Sequence, residues 1–274
     1  METESNLLNR EIAEILRTVI DDAPDELLVV NPSTEAIEEL IDVATEYDGE
    51  LPTIQMLAQS GTLKDVMEDF IIASNAADLI DAGALALRTT DEVPSNSLLV
   101  TDEVVIALVT ADDRVGGLTA DDEEFVAEAF DSYTAQFEAA DEFSLRTPPL
   151  SRVRDTLGDE ISPDAQNDFD EVLSSMETAR GDGDGLDEVT ISLLVAAKNE
   201  ALLYDISKWG EDVGIASKAT FSRTKTKLED MGLIGTEKVP IDVGRPRLRL
   251  KLANDDLREA DTDQLAGVAQ SLLH

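Results

Sequence analysis

Residues 217–234 read SKATFSRTKTKLEDMGLI, and 244–252 read GRPRLRLKL. In the first stretch Ser217 is a helix cap, Phe221 and Leu228 recur at helical spacing, and Gly232 stands where a left-handed residue ends a helix. The spacing predicts a helix from Lys218 to about Met231, with Phe221, Leu228 and Met231 turned inward. In the second stretch Leu248, Leu250 and Leu252 alternate with Arg247, Arg249 and Lys251, which is the period of a strand with one buried face. Leu233 to Val239 supplies the preceding strand, and Pro240–Pro246 the loop between the two.

Upstream, Leu186–Leu202 carries Val189, Leu193, Leu194, Ala197 and Ala201 at helical spacing. A short helical piece at Leu203–Trp209 follows, with Trp209 as a core residue, and then a turn at Glu211–Ala216 containing Gly214. Helix, helix, turn, helix and a two-stranded ribbon make a winged helix-turn-helix over residues 186–252.

Charge separates this block from the rest. The chain has 274 residues, 60 acidic and 21 basic, with a formal net charge of -39. Residues 1–185 hold 45 acidic and 9 basic residues, whereas 186–252 hold 10 and 11. Within the block, Ser217–Lys251 has nine basic against four acidic residues. A positive stretch in so acidic a chain calls for a polyanion partner. A helix fits the major groove, about 12 Å wide, where Arg and Lys reach base edges or phosphates and hydroxyls bond to either. The expected DNA contacts are Ser217, Lys218, Thr220, Ser222, Arg223, Lys225, Thr226 and Lys227 on the helix, with Arg245, Arg247 and Arg249 on the wing.

These same residues carry a family resemblance. The 217–234 segment with GRPR at 244–247 resembles the recognition helix and wing of archaeal and bacterial winged-helix regulators. With its acidic α/β region in front, the whole chain resembles the haloarchaeal TbsP family of transcriptional regulators. The resemblance implies promoter binding and control of central sugar metabolism. Lys225 departs from the pattern, since many relatives place an apolar residue near there. Either the core is sealed differently or Lys225 snorkels outward.

The remainder reads as an α/β domain with a mixed sheet over 1–147, expected to act as a sensor. Leu7, Leu8, Ile12, Ile15, Leu16 and Val19 suggest an opening helix capped by Asn6. Leu27–Val30, Leu51–Leu57, Ala84–Leu87, Ser97–Val100 and Val104–Val109 read as strands, the last two joined by a turn at Asp102 and Glu103. Helices are expected over Thr34–Tyr47, after Gly61, and around Val126–Phe137, while Gly116-Gly117 reads as a plain turn. Residues 148–185 form a connecting helix and the linker Gly181-Asp-Gly-Asp-Gly185, and 253–274 a C-terminal helix whose Leu257, Leu265, Val268 and Leu272 offer a dimer contact.

Several classes are excluded. There is no cysteine, and the only histidine is His274, so thiol chemistry, multi-histidine metal sites and histidine acid–base catalysis are absent. The GDGDG run lacks the twelve-residue spacing of a calcium loop. With no long apolar run, the expectation is a cytoplasmic, non-enzymatic regulator without cofactor or membrane. Its expected partners are double-stranded promoter DNA, a second copy of itself and a small-molecule metabolite effector. The alternative is an α/β enzyme or adaptor whose winged helix mediates protein contacts.

Overall fold

The computed structural model describes residues 6–9, 11–23, 25–92, 94–111, 114–176, 178–180, 186–240 and 246–273. Gly181–Gly185, Arg245 and His274 lie outside the described residues. The chain divides into two compact units. One comprises Met1–Glu68 and Asn75–Leu145, the other Asp69–Ser74 and Arg146–His274.

The first unit is built on strands β1 (Asn6–Asn9), β2 (Glu26–Val30), β3 (Thr53–Ala58), β4 (Leu85–Thr89), β5 (Ser97–Val100), β6 (Val105–Ala111), β7 (Arg114–Ala120) and β8 (Asp141–Glu142). Interleaved are helices α1 (Ile12–Asp22), α2 (Thr34–Thr45), α3 (Ser60–Val66) and α5 (Glu123–Ala139), together with α4 (Phe70–Asp81), whose first residues up to Ser74 count with the second unit. The strands form one mixed sheet in the order β1-β7-β6-β5-β2-β3-β4-β8. β2, β3 and β4 are parallel because helices connect them, while β5, β6 and β7 form an antiparallel meander. Leu27–Val30 is buried on both faces, as its unbroken apolar run requires of a central strand. Arg88 on β4 donates to the carbonyls of Phe137, Glu138 and Ala140 and lies 4.8 Å from the Phe137 ring, closing the C-terminal end of α5.

Two readings of this unit are corrected. Asn6–Asn9 is not the start of a helix but an edge strand, with Leu7 paired to Gly117 and Leu8 to Gly116. The two glycines are likewise strand, not turn. A Cβ on Gly117 would stand 2.9 Å from Ile106 Cγ2 and 3.4 Å from Leu7 Cβ, so glycine lets β1, β6 and α1 close over this point.

The second unit contains α6 (Leu150–Glu160), α7 (Pro163–Ser174), α8 (Glu188–Lys198), α9 (Leu203–Val213), α10 (Lys218–Asp230), β9 (Ile234–Val239), β10 (Arg247–Leu252), α11 (Asp255–Glu259), a 3-10 turn at Thr262–Gln264 and α12 (Leu265–Leu273). α8 is buried from Val189 to Ala197, and α7, α9, α10 and the ribbon pack about it. The expected connector is part of this packing. Val153, Leu157, Phe169 and Val172 of α6 and α7 are buried in the same core as Trp209, Phe221 and Leu250. Trp209 donates its indole N–H to Thr156 Oγ1 at 2.9 Å, tying α9 to α6. The C-terminal segment packs within this unit: Leu257 and Leu265 are buried in its core, and the partly buried Val268 and Leu272 lie against it.

Candidate nucleic-acid interface

α9 and α10 make the helix-turn-helix, and single residues fix their geometry. α9 continues to Val213, a turn beyond the sequence expectation, and stops at Gly214 in the left-handed region (φ 100°). Ser217 caps α10, its hydroxyl accepting from the Thr220 amide at 3.2 Å. Gly232, at φ 75°, releases the chain into β9. Gly210 lets the helices approach, since a Cβ there would stand 2.3 Å from the Phe221 ring.

Phe221 and Leu228 are buried as expected, whereas Met231 is 39% exposed, one residue past the helix where the chain turns away from the core. On the opposite side Ala219, Ser222, Arg223, Thr226, Lys227 and Asp230 form an exposed stripe at helical spacing. Arg223 reaches the Thr220 hydroxyl at 3.4 Å, and Thr226 donates to the Ser222 carbonyl at 3.0 Å. Among the described residues, Arg223, Lys227 and Lys238 have no carboxylate partner.

The other cations are held. Lys225, expected at the DNA face, has a side chain only 12% exposed and bonds to Glu229 at 2.7 Å, and Glu229 also accepts from Thr236. It therefore sits at the junction between α10 and β9 and is not part of the exposed stripe. Lys218 is ion-paired to Glu211 across the turn. The hydrogen bond between them raises the Lys218 pKa and lowers that of Glu211.

β9 and β10 form the antiparallel ribbon, with Leu250 paired to Thr236 and Leu252 to Ile234. Leu202 adds a bridge to Arg249. Leu250 and Leu252 are buried, and the basic residues alternating with them meet acid. Arg247 bonds to Asp205 at 2.9 Å and lies 4.0 Å from the centre of the Tyr204 ring. Arg249 is 3.9 Å from Glu200, and Lys251 is 2.6 Å from Glu237. Between α9, α10 and the start of β10 lies a shallow cleft of about 320 Å³, lined by Tyr204, Ser207, Lys218, Ser222, Pro246 and Arg247. The structure thus brings Lys218, Ser222 and Arg247 together, with Arg223, Thr226 and Lys227 on the adjoining stripe.

Sequence reasoning missed Ala219, which the 3–4 spacing back from Ser222 and Arg223 would have placed on the stripe. It also missed Tyr204, Asp205 and Glu211. For Glu211 the local signal is a carboxylate six residues before the cap of a basic helix. Among the described residues no group of three His, Asp or Glu could hold a metal ion, and no helix is long and apolar enough to cross a membrane.

Two family models match, and between them they span residues 4–270. The model described as "Transcriptional regulator TbsP-like, N-terminal" covers 4–148. The one described as "Transcriptional regulator TbsP-like, C-terminal HTH domain" covers 149–270. No curated protein matches. Among solved structures, the chain is similar to TrmBL2, an archaeal chromatin protein described as showing a novel mode of DNA binding. The identity is 17% and the TM-score 0.38, over 52% of this chain and 55% of that one. The match therefore spans about half of the relative's length.

Proposed function

Because the chain belongs to the TbsP-like family of transcriptional regulators, we propose that it recognises promoter DNA in sequence-specific fashion through α10, with the ribbon as its wing. One observation carries the reading. In a chain of net charge -39, the exposed stripe of α10 presents Arg223 and Lys227 without carboxylate partners among the described residues, beside hydroxyls at Ser222 and Thr226. Arg223 and Lys227 are suited to guanine edges or phosphates, the hydroxyls to either, and the Ala219 methyl to a thymine methyl. Ser217 and Thr220 stand at the helix start, where free amides favour a phosphate. Arg247 and Arg249 of the ribbon are assigned to the wing contacts, and Arg245, outside the described residues, is expected to join them.

The acidic remainder disfavours indiscriminate DNA binding by repulsion, so the cationic face alone is attractive to the polyanion. We assign this work to residues 186–252 and a sensing role to the α/β unit. A groove of about 560 Å³ between α5 and the β5–β7 face, lined by Leu118, Phe125, Tyr133 and Gln136, supports a small-molecule effector there. Action as a homodimer would set two recognition helices about 34–36 Å apart on a partly palindromic site. The protein is taken as a non-enzymatic regulator in the cytoplasm, and the family resemblance directs it to promoters of sugar metabolism.

The test is selection from a random-sequence duplex library with the full-length chain, followed by genome-wide mapping of bound DNA. Enrichment of a defined motif that is lost on substituting Arg223 is the expected result. Recovery of no motif with folded protein would refute DNA recognition. Bound sites away from sugar-metabolism genes would refute the target assignment alone.

A further inference from the structure

Five of the eight described basic residues in Ser217–Lys251 are paired with carboxylates of the same chain. Two of those pairs, Lys218–Glu211 and Arg247–Asp205, border the cleft between α9, α10 and β10. The cleft is a ready seat for an anion. Two cations face it, Ser222 offers a hydroxyl, and the Tyr204 ring holds the Arg247 guanidinium from one side. The side chains of Asp205 and Glu211 are each 43% exposed, so solvent is open for their carboxylates to turn into.

We propose that this cleft binds one backbone phosphodiester of duplex DNA by exchange: the phosphate displaces Glu211 from Lys218 and Asp205 from Arg247, and the released carboxylates take up cations from solution. The proposal rests on the DNA-binding reading above and adds a property that reading does not contain. An ordinary Lys or Arg contact to a B-DNA phosphate releases counterions and contributes about 0.9 to the negative slope of log affinity against log salt. At an exchanged contact, a cation taken up by the freed carboxylate offsets the cation released from DNA. Lys218 and Arg247 then contribute close to nothing to the slope, while a phosphate contact by the unpaired Lys227 contributes in full. Affinity therefore depends on salt more weakly than the number of basic contacts would require.

The experiment is a KCl titration of full-length protein binding to the duplex enriched by the selection above. The double variant Asp205→Asn/Glu211→Gln should bind more tightly at low salt, with a slope steeper by up to about two. An unchanged slope, with binding retained, overturns the exchange and leaves DNA recognition standing. Failure of the selection to enrich any duplex overturns DNA recognition itself, and this proposal with it. A second comparison does not depend on the double variant. Lys227→Met should flatten the slope by about 0.9 and Lys218→Met by much less. Equal flattening by the two substitutions also overturns the exchange.

Discussion

Replacing Gly210 by alanine tests the helix-turn-helix crossing on which the whole interface depends. The added Cβ would lie 2.3 Å from both Cε2 and Cζ of Phe221, against 3.4 Å for ordinary contact, so the ring must retreat about 1.1 Å. Phe221 is fully buried, so the ring can retreat only by displacing its neighbours or moving α10. Overpacking of this kind costs about 1–3 kcal/mol, and so severe a contact belongs at the upper end. Alanine in place of glycine inside a helix returns about 1 kcal/mol. The net expectation is a loss of about 2 kcal/mol. Gly267 provides the control. It lies in α12 with nothing within 4 Å of a Cβ, so Gly267→Ala should stabilise by up to about 1 kcal/mol. The only tryptophan, Trp209, is buried beside Gly210, so its fluorescence during urea unfolding reports on this unit. Phe221→Leu should also cost less in the Gly210→Ala background than in the parent. A Gly210→Ala protein as stable as the parent would refute the crossing described above.

Arg223→Ala should weaken binding to a selected duplex by roughly tenfold to a hundredfold, as expected for a lost base contact of about 1–3 kcal/mol; unchanged affinity at the working salt concentration removes Arg223 from the site. Thr156→Val leaves the Trp209 indole N–H buried without its acceptor and should cost about 1–3 kcal/mol, read from the same fluorescence transition. Unchanged stability would contradict a stabilising role for the bond. The Lys218–Glu211 pair sets a pH dependence. Because the folded Glu211 pKa lies below the ordinary value of 4.5, its contribution is complete above that pH and lost as pH falls through the folded value. Glu211→Gln should therefore lower the melting temperature at neutral pH and low salt, with the gap closing in acid. A gap that persists in acid counts against the pair.

Much of the second unit is written locally. The Ser217 cap, the Gly214 and Gly232 stops, the buried Phe221 and Leu228, and the leucine alternation of β10 each depend on residues a few positions apart. Local sterics and the helix and strand periods suffice to read them. The concentration of positive charge between Ser217 and Lys251 is likewise a property of the sequence, independent of how it folds.

Tertiary structure decided what no local signal contains. Asn6–Asn9 became a strand because β7, more than a hundred residues later, offers it an edge, and Gly116-Gly117 became that edge because neighbouring chains close over the missing side chain. α6, α7 and the C-terminal helix were drawn into the core because their apolar faces find the other buried residues of the unit, although as sequence those faces were equally suited to a connector or a partner subunit. Most consequentially, a count of basic residues does not reveal which ones are free. Asp205 meets Arg247 across 42 residues, and Thr236 of the next strand fixes Glu229 beside Lys225. Charge is fixed by residue type, but its availability is fixed by the distance to the nearest opposite charge, and only the folded chain sets that distance.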